Sequence, residues 1–207
     1  MRIRELEEEL SDERIAELFR LDDEDFRSAA IQSRAKRRSA FRGLIAIAGV
    51  AVFVFVFFQL FVPTIVNERS MEDTIEQRDC VLLSVRAYDS SEPELGDLIM
   101  FESRVVDENG VPRDFIRRVI GVPGDMIEIK SGNVYRNGEI LDEPYTKDGI
   151  TNGDMAAEIV PEGFFVLGDN RQISIDSRDA RVGFVKTEDV IGKVAFRILP
   201  VSKAGAL

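Results

Sequence analysis

Residues Gly43 to Val62 read GLIAIAGVAVFVFVFFQLFV, twenty consecutive positions in which Gln59 is the sole polar side chain. At about 1.5 Å rise per residue, a helix of that length crosses the roughly 30 Å hydrocarbon core of a bilayer. Two other readings fit less well. A cleavable targeting sequence starts near the first residue and has a shorter apolar stretch, whereas forty-two residues precede this one. A helix buried in a soluble core rarely carries five phenylalanines and no charge over twenty positions. The chain is therefore expected to cross a membrane once, at 43–62.

Flanking charge sets the expected orientation. Arg34, Lys36, Arg37, Arg38 and Arg42 stand just before the span, and Pro63 to Val66 after it are uncharged. The positive-inside rule then keeps 1–42 in the cytoplasm and places 63–207 outside the plasma membrane, with the lipid bilayer as a partner. The cytoplasmic segment begins with eleven acidic and four basic residues from Met1 to Asp25. Its apolar positions Ile3, Leu6, Leu10, Ile15, Leu18 and Phe19 have a loosely helical period, which predicts a short helix there.

Residues 63–207 are enough to bury a core of their own. Short apolar runs (CVLLSV, GDLIMF, FIRRVI, MIEIK, NVYRNGEI, FFVLG, VIGKVAFRILP) alternate with Gly, Pro, Asn and Asp, and Asn137-Gly138 is a hairpin signal. This predicts a mostly β fold of antiparallel sheets after one N-terminal helix, with loops at 103–114 and 143–160.

Composition narrows the chemistry. The formal net charge is −11, which argues against nucleic acid as a partner. Histidine is absent, so a Ser-His-Asp triad, a Cys-His dyad and a His-ligated metal are excluded. The one cysteine, Cys80, offers neither an internal disulfide nor a metal spacing. No metal or cofactor is expected. Serine chemistry, if present, needs another base.

Four segments follow the span in order: Ser70-Met71-Glu72-Asp73-Thr74-Ile75, Gly96 to Phe101 (GDLIMF), Arg117 to Asp125 (RRVIGVPGD), and Gly168 to Arg178 (GDNRQISIDSR). Together they resemble the conserved boxes of bacterial type I signal peptidases, over roughly residues 35 to 200. The resemblance implies a membrane-bound serine endopeptidase with an antiparallel β-sheet catalytic domain of the signal peptidase and repressor-protease type. Such an enzyme removes signal peptides from exported preproteins, which carry small residues one and three positions before the cut. It uses a Ser/Lys dyad, in which a desolvated lysine loses its proton and activates the serine.

Carried over by motif, Ser70 is the nucleophile. Ser174 would orient the base, and Asp176 and Arg178 would form a supporting salt bridge. Asp97 would stabilise the turn into 98–101, the strand to which a substrate peptide would add. The general-base position is occupied by Arg117, where the family has lysine. Arginine stays protonated in proteins and cannot serve as a neutral base. None of the six lysines (36, 130, 147, 186, 193, 203) falls in register to replace it. Glu68 stands at the oxyanion position, where the family has Ser or Gly, and Asp73 stands where it usually has Pro. Glu68 and Arg117 flank the same serine in such a fold and could form an ion pair. Three readings follow: a signal peptidase with an altered base, a pseudopeptidase that binds extended peptides at the membrane surface, or an autoproteolytic repressor-type protease. The last is disfavoured by the span and by the lack of DNA-binding helices.

Overall fold

The computed structural model describes residues 40–207 together with residues 14, 17, 20, 36 and 37. The helix anticipated from Ile3 to Phe19 rests on positions outside those described. The chain divides into two units, Met1–Val56 and Phe57–Leu207.

The apolar run forms one helix, Ala40–Leu60 (α1), of 21 residues. It is long and apolar enough to cross a membrane, and none of it is buried by protein. It starts three residues before the expected span and ends two residues earlier. Phe61 and Val62 instead open strand β1, Phe61–Ile65. Pro63 accounts for the early stop, because it disfavours helical geometry at the preceding residue and has no N–H to donate.

After α1 the fold is mostly β, in two antiparallel sheets. The remaining strands are β2 (Cys80–Ser84), β3 (Leu98–Val106), β4 (Pro112–Gly121), β5 (Met126–Lys130), β6 (Asn133–Arg136), β7 (Glu139–Ile140), β8 (Met155–Ile159), β9 (Phe165–Leu167), β10 (Val190–Leu199) and β11 (Gly205–Ala206). The larger sheet has seven strands in the order β1-β2-β10-β3-β4-β9, with β11 paired to β10, and the smaller runs β7-β6-β5-β8. The hairpin signal is realised between β6 and β7: Asn137 and Gly138 take φ of 55° and 84°, the paired positive values of a type I′ turn.

Three sequence expectations need correction. The 103–114 loop shrinks to 107–111, because β3 and β4 extend as an arm that pairs Val106 with Pro112. The 143–160 loop contains β8, held to β5 by pairs such as Met126 with Ile159. And 98–101 is no edge: β3 is paired with β10 on one side and β4 on the other at these residues. An interior strand has its ladder groups filled and cannot take an added peptide.

Alternation along β3 and β4 sorts the core. Leu98 and Ile116 pack with Val66, Met71, Ile75, Val81, Leu83 and Val194. Ile99, Phe101, Phe115 and Val119 point the other way, into a cluster with Phe164, Val166, Val182 and Val185. Arg117 shares the period of Phe115 and Val119. The pleat alone therefore turns its side chain inward.

Candidate active site

Ser70 lies on the loop between β1 and β2. Two main-chain bonds pin the base of that loop, Val66 N–H to Asp79 O (2.9 Å) and Arg78 N–H to Val66 O (2.7 Å). The fully buried Met71 and Ile75 anchor its tip, joined by Ile75 N–H to Met71 O at 2.7 Å. Ser70 itself is 4% exposed, and its carbonyl accepts from Asn170 N–H at 2.9 Å. The nucleophile loop is thereby tied to the Gly168–Arg178 segment.

Arg117 is 1% exposed and is the largest fully buried side chain. Its guanidinium stacks on Phe115, 4.5 Å from the ring centre. Nη1 donates to Ser70 Oγ (2.6 Å), to Glu68 Oε1 (2.9 Å) and to its neighbour's carbonyl, Ile116 O (2.6 Å). Nε and Nη2 both donate to Ile175 O, at 3.0 and 2.7 Å. A buried guanidinium requires this degree of pairing, since an unmatched charge away from water is costly. Glu68 supplies the countercharge, and its Oε1 also accepts from Ile116 N–H at 3.0 Å. Toward Ser70, then, the group at the base position presents a donor. It can hold an oxygen but cannot receive a proton.

Ser174 does not take the orienting role read from its motif. Its Oγ is buried without a hydrogen-bond partner, and the Ile175 carbonyl holds the guanidinium instead. The difference lies in the side chain: an arginine distributes its donors over a planar fork, and here every nitrogen is already engaged. Asp176 and Arg178 do pair, Nη2 to Oδ2 and Nε to Oδ1 each at 2.8 Å, and Asp176 also accepts from Gly168 N–H at 3.1 Å. Asp97 accepts from Glu94 N–H at 3.1 Å at the turn into β3, and from Tyr88 (2.8 Å) and Lys193 (2.6 Å).

Sequence reasoning missed several supports. Arg118 grips the buried Asp169 through two bonds, 2.9 and 2.7 Å, and Thr74 Oγ1 donates to the same carboxylate. Arg118 also lies 4.0 Å from the ring centre of Tyr145, whose hydroxyl is pushed well above its ordinary pKa by burial and then by Glu143. The buried Arg171 ties Gly168 O to Glu143. Thr74, Arg118, Asp169 and Arg171 lie in the motif segments, which do not tell which partners they take, and Glu143 and Tyr145 lie in a stretch read only as loop. Lys147, Lys186, Lys193 and Lys203 pair with Glu72, Glu188, Asp97 and Glu76 rather than with Ser70.

A cleft of about 330 Å³ opens along the segment that leads to Ser70, lined by Thr64 to Glu68, Met100, Arg113, Asp114 and Ile116. On this side β4 has an unpaired edge, because β9 joins it only from Arg118 onward. The wall opposite is the segment leading to Ser70.

Apart from Arg117 and Glu68, the serine loop, the Asp176–Arg178 pair and the antiparallel framework are the parts expected of a serine endopeptidase of the signal peptidase family. Residues 38–199 match the family model described as signal peptidase, peptidase S26. Signal peptidase IB of Staphylococcus aureus is 32% identical over 179 residues, covering 77% of this chain and 90% of its own. Signal peptidase I of Bacillus caldolyticus is 34% identical over 183 residues, covering 82% and 93%. A crystal structure of a signal peptidase I from Enterococcus faecalis aligns with a TM-score of 0.41 at 33% identity, over 50% of this chain and 97% of that one. The chain belongs to the S26 signal peptidase family, and by class it is a serine endopeptidase, a hydrolase.

Proposed function

We propose that the chain binds the signal peptides of exported preproteins at the outer face of the plasma membrane and cleaves them slowly, with Ser70 as nucleophile. The relatives' names support the substrate, α1 supports attachment to the bilayer, and the basic residues just before it support an amino terminus in the cytoplasm. The peptide lies extended between residues 64–68 and the open edge of β4, adding a strand there rather than at β3. The side chains one and three before the scissile bond point into the cleft, and small residues are expected at both, as the family resemblance implies. No cofactor or metal enters this reading.

One observation carries the word slowly: Arg117 Nη1 donates to Ser70 Oγ at 2.6 Å. A serine attacks once its proton has somewhere to go. A guanidinium cannot take it, although it can steady the negative charge that develops on oxygen. The same contact favours a second reading, a pseudopeptidase that binds extended peptides and releases them uncut.

The test uses the full-length chain in detergent with a preprotein carrying a photo-crosslinker near its cleavage site. Efficient crosslinking is expected for Ala at both positions and loss of it for bulky residues there. Cleavage should be slight, and absent in Ser70→Ala. Cleavage at the rate of an ordinary family member would refute the role given to Arg117. Equal crosslinking of both preproteins would refute the substrate assignment.

A further inference from the structure

The open edge of β4 is already occupied at one position by the protein's own side chains. Ile116 lies opposite Met100 of β3 in the register, yet its N–H donates to Glu68 Oε1 (3.0 Å) and its carbonyl accepts from Arg117 Nη1 (2.6 Å). Residues of an antiparallel strand send N–H and C=O together to one side, and alternate residues share that side. Ile116 therefore directs both groups away from β3 and into the cleft, and Asp114, two residues back, does the same. Among the described residues no strand covers 112–116 on this side, and no side chain is bonded to the Asp114 main chain. An extended peptide thus meets a free rung at Asp114 and a capped one at Ile116, the rung next to Arg117 and the serine.

We propose that Glu68 is a gate on peptide docking: its carboxylate stands in for a peptide carbonyl on Ile116 N–H, and substrate must displace it to align its scissile bond with Ser70. This rests on the peptide-binding reading of the cleft given above. Glu68 is suited to the part. Its side chain is partly exposed and sits on the cleft wall, and its ion pair with Arg117 gives it a second anchor. The departure at position 68 thus acts on binding as well as on the oxyanion, because a serine or glycine is too short to span to the β4 edge.

The experiment measures fluorescence anisotropy of a labelled signal peptide on the full-length chain in detergent. The peptide has Ala one and three residues before a reduced CH2–NH scissile bond, so it cannot be cut. A hydrogen bond to a charged group is worth enough to shift affinity about tenfold. Glu68→Ser is expected to bind about tenfold more tightly than wild type. The isosteric Glu68→Gln keeps a neutral acceptor and guards against loss of folding, and it should bind roughly threefold more tightly. Hydrogen exchange should show the Ile116 amide opening faster in Glu68→Ser without peptide and protected again with it. A folded Glu68→Gln that binds no more tightly than wild type, or unchanged exchange at Ile116, overturns the gate alone. Absence of binding by wild type and both variants overturns the docking reading and the gate with it.

Discussion

Replacing Arg117 by lysine should weaken the fold while awakening the chemistry. The guanidinium makes five donor contacts: the two hydrogens of Nη1 are shared among three acceptors, and Nε and Nη2 each donate once. A lysine ammonium has three donors on one nitrogen. Placed near the position of Nη1, it can keep Glu68, Ser70 and Ile116 O and must abandon Ile175 O. Two charge-assisted bonds at about 1.5 kcal/mol each put the loss near 3 kcal/mol. For a chain of this size that corresponds to a fall of roughly 6–12 °C in Tm. Circular dichroism melts of the full-length protein in detergent would measure it. Cleavage of a preprotein by the same variant should rise, since general base help is worth about 10² to 10⁴ in rate. Glu68 beside the ammonium favours its charged form, so the full gain is expected from Arg117→Lys combined with Glu68→Ser. That rate should climb with pH as the desolvated lysine loses its proton. A melt unmoved within 2 °C (a threshold set well inside the roughly 6 °C lower bound) would show that the Ile175 bonds carry no weight. A folded double variant without cleavage would show that a base is not what the site lacks.

Gly168→Ala places a methyl group 2.6 Å from Ser70 O and against Ser174 Oγ, in a loop that has no slack. A cost of about 1–3 kcal/mol in thermal or urea unfolding is expected, together with loss of peptide crosslinking as the serine loop shifts; an unperturbed, fully competent variant would contradict the tight seam between the two loops. Asp97 gives a pH signature. Burial pushes its carboxyl up, but Lys193, Glu94 N–H and Tyr88 outweigh that and leave it below the usual range. A group lowered in the fold stabilises above its unfolded pKa, about 3.9, and the benefit is lost as pH falls through the folded value. The Tm gap between wild type and Asp97→Asn should therefore be full at neutral pH and close in acid; a gap constant with pH would contradict the assignment.

How much of this was legible beforehand depends on whether side chains or main chain carried the information. Strands with alternating β-branched residues, such as VIGKVAFRIL in β10, announce themselves, and so does Asn137-Gly138. β8, with the sequence MAAEI, does not, because its strand character comes from pairing with β5 rather than from its own residues. Nor could the outer ends of β3 and β4 be read, since SRVV and PRD look like loop until they face each other. The motifs named Ser70, Arg117, Asp176 and Arg178, and the structure bonds Arg117 to Ser70 and Arg178 to Asp176. They could not show that Ile175 O replaces Ser174 or that Ile116 N–H is capped, because a backbone group has no letter of its own. Whether a strand is interior or edge is likewise a property of the sheet, and it moves the proposed docking edge from β3 to β4.

On the proposed reading, the geometry also explains how a peptide-binding site can persist without its base. A lysine in this family is chemically active because it is under-solvated, a state that contributes little to holding the site together. Arg117 does the opposite. It joins β4, the Ser70 loop and the 168–178 loop through one planar group, and Glu68 neutralises it. The cleft walls are among the elements so joined. Asp169 with Arg118, Asp176 with Arg178 and Glu143 with Arg171 brace the same loops independently of position 117. Proton abstraction and peptide capture are therefore supported by different groups, so one can be lost without the other. The same separation predicts the two directions of the Arg117→Lys result, lower Tm and higher rate, where a merely damaged site would show both falling together.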